Sequence, residues 1–285
     1  MIGAGGRLGA ALAREFARSC EVIGFRHAQL DLADLDTLRT TLAPMRFDAV
    51  INAAALTNVD YCENHREEAM RLNAEAPRVL AEICGEKQAR FIHVSTDYVF
   101  DGTKRTPYAE EDAAEPISVY GESKRAGEIG ALKANDRALI IRVSWVFGPD
   151  RPSFIDAILQ RARSEEEVAA VADKFSTPTY TLDIAGLLRP LLLSDAVNGI
   201  LHLANRGACS WQQYAQWALD CCPEQGVPVK AKSVRPLSLG EMKNFVARRP
   251  VYTVLATEKY EQLTGCAPRD WHDAVEQYVR EHYRE

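Results

Sequence analysis

Four runs, EVIGF (21–25), DAVINAA (48–54), RFIHVS (90–95) and ALIIRVS (138–144), are apolar nearly throughout and too short to be helices. A strand with one wet face alternates apolar and polar residues; a strand covered on both faces has no polar side to show. These runs therefore read as strands of a parallel sheet lying between two layers of helix. The stretches between them, RLGAALAREFARS, LADLDTLRTTLA, EEAMRLNAEAPRVLAEICGE and SVYGESKRAGEIGALKAN, repeat their apolar residues at helical spacing. Strand and helix in alternation give an α/β chain with a doubly wound parallel sheet.

After FGPDRP (147–152) the rhythm loosens. SFIDAILQRAR and SWQQYAQWALDCC read as helices, and only a few runs, such as GILHLA (199–204), suit a strand. The expected division is a nucleotide-binding unit over 1–148, to which the chain returns near 170–205, and a smaller, mainly substrate-binding unit over 149–285. The consecutive glutamates of RSEEEVAA read as a solvated turn or helix face.

The chain reaches a glycine-rich turn immediately after Met1 and Ile2. A doubly wound sheet normally places a whole central strand before that turn. The expectation is that several apolar residues precede Ile2 in the natural protein; the alternatives are a severely shortened first strand or another segment filling the gap. An unfilled gap would leave the N–H and C=O groups of two neighbouring strands buried and unpaired.

In the turn itself, GAGGRLG, Gly3, Gly6 and Gly9 stand at three-residue intervals and lead into a helix. Glycine lets the backbone turn tightly against a pyrophosphate while the N–H groups of the helix start face the anion. Glycine turns cap many helices, so the pattern gains weight only from the strand and the LDL (30–32) that follow. After the second strand, an acid would bind a ribose 2′-hydroxyl and a base the 2′-phosphate of NADP. Here Arg26 and His27 stand there and Arg7 lies in the turn, which favours NADPH, with NADH as the alternative. Asp31, with Leu32 beside it, either contacts adenine or begins the next helix.

VSTDYVFDG (94–102) is followed by VYGESK (119–124). Tyr120 and Lys124, four apart on a helix, share a face. A phenol of ordinary pKa near ~10 is a poor acid at neutral pH; a nearby ammonium favours phenolate and lowers that value. Tyr-x-x-x-Lys also occurs by chance on surface helices. The glycine turn and the strand ending in Ser95-Thr96 are what single this pair out.

A net charge of −6 excludes polyanion binding by the surface as a whole, so no nucleic-acid partner is expected. No secretion signal and no apolar stretch near the roughly 20 residues of a membrane span are visible. The seven cysteines include no Cys-x-x-Cys pair and the six histidines no paired ligand spacing. That argues against a metal site or a disulfide framework and for free thiols in a cytoplasmic protein.

Taken together, these motifs resemble the extended short-chain dehydrogenases/reductases, a Rossmann-like family, and most closely the dTDP-4-dehydrorhamnose reductases. The similarity runs through INAAALTNVDYCE, HVSTDYVFDGT, YGESKRAGE, IIRVSWVFG and DKFSTPTY to RPVYTVLAT near the end. It implies that Thr96 hydrogen-bonds the reacting oxygen, Tyr120 donates the proton, and Lys124 holds the nicotinamide ribose and tunes Tyr120. It places Gly3, Gly6 and Gly9 at the pyrophosphate, Ala53, Ala54 and Ala55 where bulk would strike the cofactor, and Asn73 as structural support. Thr57, Val59, Ser144 and Trp145, with Val146, fall where the sugar nucleotide approaches; Trp145 reads equally well as core. The implied reaction is reduction of a 4-keto sugar nucleotide to a product such as dTDP-L-rhamnose, and a homodimer is compatible with the sequence. Rival readings are a dehydratase, which would need a carboxylate where Tyr98 stands, a sugar-nucleotide epimerase, and a non-catalytic NADP-binding regulator resembling that of methionine adenosyltransferase.

Overall fold

A computed structural model of the chain describes residues 1–194 and 196–283. The first half runs α1 (Arg7–Phe16), α2 (Leu35–Leu42), β1 (Ala49–Asn52), α3 (Val59–Asn64) and α4 (Arg66–Met70). A single π-helical turn (Arg71–Glu75) leads into α5 (Ala76–Glu86), then β2 (Arg90–Thr96), α6 (Val119–Ala134) and β3 (Leu139–Val143). There follow β4 (Val146–Phe147), α7 (Phe154–Ser164), β5 (Val168–Val171), β6 (Phe175–Ser176), β7 (Thr179–Tyr180), α8 (Thr181–Leu188) and β8 (Gly199–His202). The chain ends with β9 (Cys209–Ser210), α9 (Trp211–Glu224), β10 (Val234–Leu237), α10 (Glu258–Thr264) and α11 (Trp271–His282).

The main sheet is parallel in the order β1-β2-β3-β8. Neighbouring residues of each strand go to opposite faces. Val50, Phe91 and Ile140 pack with Leu38 and Leu42 of α2 and with Val79, Leu80 and Ile83 of α5. Ile51, Ile92 and Ile141 pack on the other side with Leu8, Leu12 and Phe16 of α1 and with Ile184 and Leu188 of α8. Both faces are dry, which is why the strand runs carry no polar alternation. GILHLA supplies β8, an edge strand of this sheet beside β3.

The predicted strand at 21–25 is corrected to a single bridge. Ile2 pairs in parallel with Asn52 on one side and Phe25 on the other. Its N–H reaches the carbonyl of Ile51 at 2.9 Å, its carbonyl accepts Ala53 N–H at 3.0 Å, and Phe25 N–H reaches Met1 O at 2.8 Å. Met1 and Ile2 thus pair both neighbours over the length they have, and a two-residue partner gives residues 21–25 only one bridge to make.

A second core gathers Phe147, Ile155, Leu159, Tyr180, Tyr214, Trp271 and Tyr278, largely from α7, α9 and α11. The glutamates of RSEEEVAA follow α7 and precede β5, where burial begins at Val168. No described helix is long and apolar enough to cross a membrane.

Candidate active site

The glycine turn packs directly on the end of β1. Gly3 has φ +80, and a Cβ there would lie 2.7 Å from Ala54 N; one at Gly9 would lie 2.1 Å from Gly3 O. A side chain at Gly3 would push the turn off Ala53 and Ala54, and one at Gly9 would push α1 off the turn. Helix α1 starts at Arg7 behind Gly6, with no side-chain cap and no acidic residue in its first turn. Its first N–H groups, unpaired within the helix, therefore have no cap or first-turn carboxylate from α1 itself, the arrangement that suits a phosphate.

Exposed Arg26 lies along this turn, its Cγ 3.3 Å from where a Cβ of Gly5 would stand, and Arg151 donates to Gly5 O at 2.6 Å. Arg7 is placed differently from the expectation. Its guanidinium donates to the carbonyls of Val146 (3.2 Å), Arg151 (3.2 Å) and Pro152, so it ties α1 to the 146–152 segment. Asp31 is exposed and accepts Ala33 N–H at 2.9 Å, while the cap of α2 is Asp34. The Leu32 side chain is in the core under α2.

Thr96 ends β2, and its hydroxyl oxygen accepts Tyr98 N–H at 3.2 Å, starting the turn Asp97–Val99. Tyr120 is the second residue of α6, behind the cap Ser118. Gly121 lets the helix start come this close: a Cβ there would lie 2.2 Å from Tyr98 O. Tyr98 meets Tyr120 edge-on with ring centres 5.7 Å apart, and Val59 and Leu56 pack on the same cluster. Exposed Thr57 lies in the loop between Leu56 and Val59.

Burial raises the Tyr120 pKa well above its ordinary value; a hydrogen bond with Thr96 opposes the rise, and Asp97 and Cys62 add to it. The expectation that Lys124 would lower this pKa is therefore corrected: desolvation wins, and the phenol keeps its proton. Lys124 is itself pushed down to about 8 by burial against the opposing charge of Glu128. Its Nζ donates to Val94 O at 2.7 Å and lies 3.2 Å from His93 Nε2.

Asn73 sits fully buried in the π-helical turn. It exchanges hydrogen bonds with Leu56 N–H (2.8 Å) and Leu56 O (2.9 Å) and donates to Ser123 Oγ at 3.0 Å. It thereby clamps the loop after β1 to the helix carrying Tyr120 and Lys124. Ser144 is buried and donates to Asp97 at 3.1 Å. Half-buried Trp145 has φ +42 and packs on Phe154, Trp211 and Tyr214. The residue thus belongs to the second core while standing directly after Ser144.

Two residues were missed from the sequence. Asp97 accepts hydroxyl protons from Thr96 (3.1 Å), Ser144 (3.1 Å) and Thr253 (2.6 Å), with the charge of Lys174 nearby. Its position directly after Thr96 was the available signal. His93, in the middle of β2, touches Lys124; a polar residue inside an apolar strand run was the signal there.

The family model described as "RmlD substrate binding domain" matches residues 1–284. A dTDP-4-dehydrorhamnose reductase of Mycolicibacterium smegmatis is 36% identical over 97% of this chain and 83% of its own length. A Streptomyces antibioticus protein, named a probable dTDP-4,6-dihydroxy-2-methyloxan-3-one 4-ketoreductase, is 38% identical over 96% of this chain and 91% of its own. The solved dTDP-4-dehydrorhamnose reductase of Bacillus anthracis, in complex with NADP, superposes with a TM-score of 0.92 at 28% identity, covering 98% of this chain and 97% of that one. Because that family model spans residues 1–284 and these relatives match nearly the whole chain, the chain belongs to the RmlD substrate-binding-domain family.

Proposed function

We propose that this chain is an NADPH-dependent reductase of a 4-keto-6-deoxy sugar nucleotide, converting dTDP-4-dehydrorhamnose to dTDP-L-rhamnose. The observation that carries the reading is Tyr120, buried at the start of α6 against Tyr98, where desolvation raises its pKa and Thr96 is near enough to act on it. Reduction of a ketone needs a proton donor in the resting enzyme, and a phenol held above its usual pKa is one.

NADPH, when bound, supplies the hydride that reduces C4 of the sugar. The residues of the turn fit it: Gly3, Gly6 and Gly9 with the start of α1 for the pyrophosphate, Arg26 for the 2′-phosphate, Ala53, Ala54 and Ala55 for close approach, and Lys124 for the ribose. Tyr120 gives its proton to the sugar O4 as negative charge develops there. Thr96 stands beside it, and on substrate binding its hydroxyl turns its proton from Asp97 to the same oxygen; both groups are buried, where a donor acts most strongly. Thr57, Val59, Ser144 and Trp145 form the sugar-nucleotide side, so the division into a cofactor half and a substrate half belongs to this proposal.

Tyr98 occupies the position where elimination would need a carboxylate, which disfavours a dehydratase. The Streptomyces relative carries a name with a different sugar but the same 4-keto reduction, so the sugar is the part to test. A panel of dTDP- and UDP-linked 4-keto sugars, followed by loss of NADPH absorbance, tests it. Fastest turnover with dTDP-4-dehydrorhamnose is expected; no NADPH consumption with any 4-keto sugar nucleotide would leave the non-catalytic regulator as the better reading.

A further inference from the structure

Two arginines from distant parts of the chain meet at Gly5. The Arg26 side chain lies against it, with Cγ 3.3 Å and Cδ 3.6 Å from where a Cβ would stand, and Arg151 Nε donates to its carbonyl at 2.6 Å. Both side chains are exposed. Among the described residues, neither guanidinium has an ion pair, and the Nε bond of Arg151 is the one side-chain hydrogen bond that either makes. The acids nearest to them in sequence are engaged elsewhere. Asp150 pairs with Arg14, and Asp31 accepts Ala33 N–H at 2.9 Å with His27 3.8 Å away.

The place of Arg151 follows from the segment that carries it. Arg7 donates to the carbonyls of Val146, Pro152 and Arg151 itself, and Arg14 holds Asp150 through both carboxylate oxygens. These two ties stand two turns apart on α1, so the Arg14 pair keeps residue 151 at the glycine turn when Arg7 is lost. Bonding through Nε leaves the Nη1 and Nη2 edge of the guanidinium for another acceptor, and that planar edge matches two oxygens of a phosphate.

We propose that Arg151 reads the 2′-phosphate of NADPH together with Arg26, as a second specificity residue supplied by the segment that follows Ser144 and Trp145. The inference rests on the NADPH-dependent reading of the site. Arg26 stands after the second strand-like run, where the ribose 2′ position is recognised, and Arg151 reaches the same residue of the turn from the other end of the chain's first half. A phosphomonoester carries close to two negative charges at neutral pH, enough to engage both cations. The 2′-hydroxyl of NADH offers them none.

Isothermal titration of the parent and Arg151→Gln with NADPH, NADH, adenosine 2′,5′-bisphosphate and AMP tests this without turnover; AMP lacks only the 2′-phosphate of the bisphosphate. Arg151→Gln is expected to weaken NADPH and the bisphosphate by about tenfold or more, the loss of a charged hydrogen bond. NADH and AMP should stay within about twofold. Arg151→Lys, which keeps the charge without the planar edge, should fall between parent and Arg151→Gln. Equal losses for NADPH and NADH would mean that Arg151 serves the pyrophosphate or only ties the loop down, and unchanged NADPH affinity would mean that it serves neither. Either result overturns the proposal. A parent with equal affinity for both cofactors would overturn it together with the role of Arg26, and a parent that binds neither would take the reductase reading with it. Melting curves report the fold of each variant; Arg151→Met, which keeps the apolar stem, replaces Arg151→Gln if that protein does not fold.

Discussion

Thr253 donates its hydroxyl to Asp97 at 2.6 Å, joining residues 156 positions apart in a fully buried contact. Through the same carboxylate Thr253 is linked to Thr96, whose hydroxyl donates to the other oxygen. Asp97 therefore sets where the Thr96 oxygen points, and the RPVYTVLAT segment helps to hold Asp97. Asp97→Asn is expected to lower kcat by up to ~10²-fold, as small misplacements of a reacting group do, while NADPH affinity stays within about twofold. Thr253→Val should lower kcat less. Steady-state kinetics with a cofactor titration reads both; full kcat in a folded Asp97→Asn enzyme would show that Thr96 needs no such support.

Tyr120→Phe removes one hydroxyl from a packed site and leaves the ring against Tyr98. The expected loss is on the order of 10²–10⁴ in kcat, with NADPH affinity nearly unchanged. Near-normal turnover at saturating substrate would take the proton-donor role away from this residue.

The sheet and its flanking helices were legible because burial on both faces leaves a simple trace, as in ALIIRVS. Of the run at 21–25 only Phe25 forms a bridge, to Ile2, because composition shows that a run suits a strand and not how much of it is paired. Thr96, Tyr120 and Lys124 could be picked out because short motifs hold them. Asp97 and His93 left a signal of position but none of role, since a buried polar residue shows its role only through partners such as Thr253 and Asn52, distant in the chain. The sign of the Tyr120 shift was misjudged for a related reason: spacing places Lys124 near, but only the fold tells how much water is excluded.

The two arginines at the glycine turn should separate. Arg26→Ala is expected to narrow the preference for NADPH over NADH, because it removes the exposed cation beside Gly5. Arg7→Ala should lower thermal stability by loosening the 146–152 segment and leave the NADPH/NADH ratio close to the parent's. Isothermal titration with both cofactors and a melting curve for each variant check this; equal parental affinities would remove the argument for Arg26.

Glu128 accepts two bonds from Arg142 at 2.8 Å each, one from Ser95 at 2.6 Å and one from Arg125 at 2.9 Å. Glu128 is wholly buried and Arg142 nearly so. Removing one partner of such a pair leaves an uncompensated buried charge, at about 3–5 kcal/mol. Glu128→Gln should therefore destabilise the protein strongly in urea unfolding. A change below about 1 kcal/mol would mean that Arg142 finds water or another partner.

Arg249 grips both oxygens of Asp60, at 2.8 and 2.5 Å, and the same carboxylate accepts the N–H groups of Val246 (2.8 Å) and Ala247 (2.9 Å). Asp60 lies in α3 beside Val59, so this contact pins the 246–249 segment to α3, next to a residue proposed above to face the sugar nucleotide. The Arg249 hydrogen bond lowers the Asp60 pKa from 3.8 to about 2 against the cost of burial. Because the folded value lies below the unfolded one, the carboxylate's contribution to stability is complete above the unfolded value near pH 4. It falls away as the pH drops through the folded value near 2, below which both states are protonated. Asp60→Asn lacks the titration. The stability gap between parent and variant should be constant above about pH 5 and shrink steadily between about pH 4 and 2, measured by urea unfolding at each pH. The variant should also show a raised KM for the sugar nucleotide with kcat little changed, since the pinned segment is not among the reacting groups. Parallel pH dependence of the two proteins would mean that Asp60 gains nothing from Arg249 in solution.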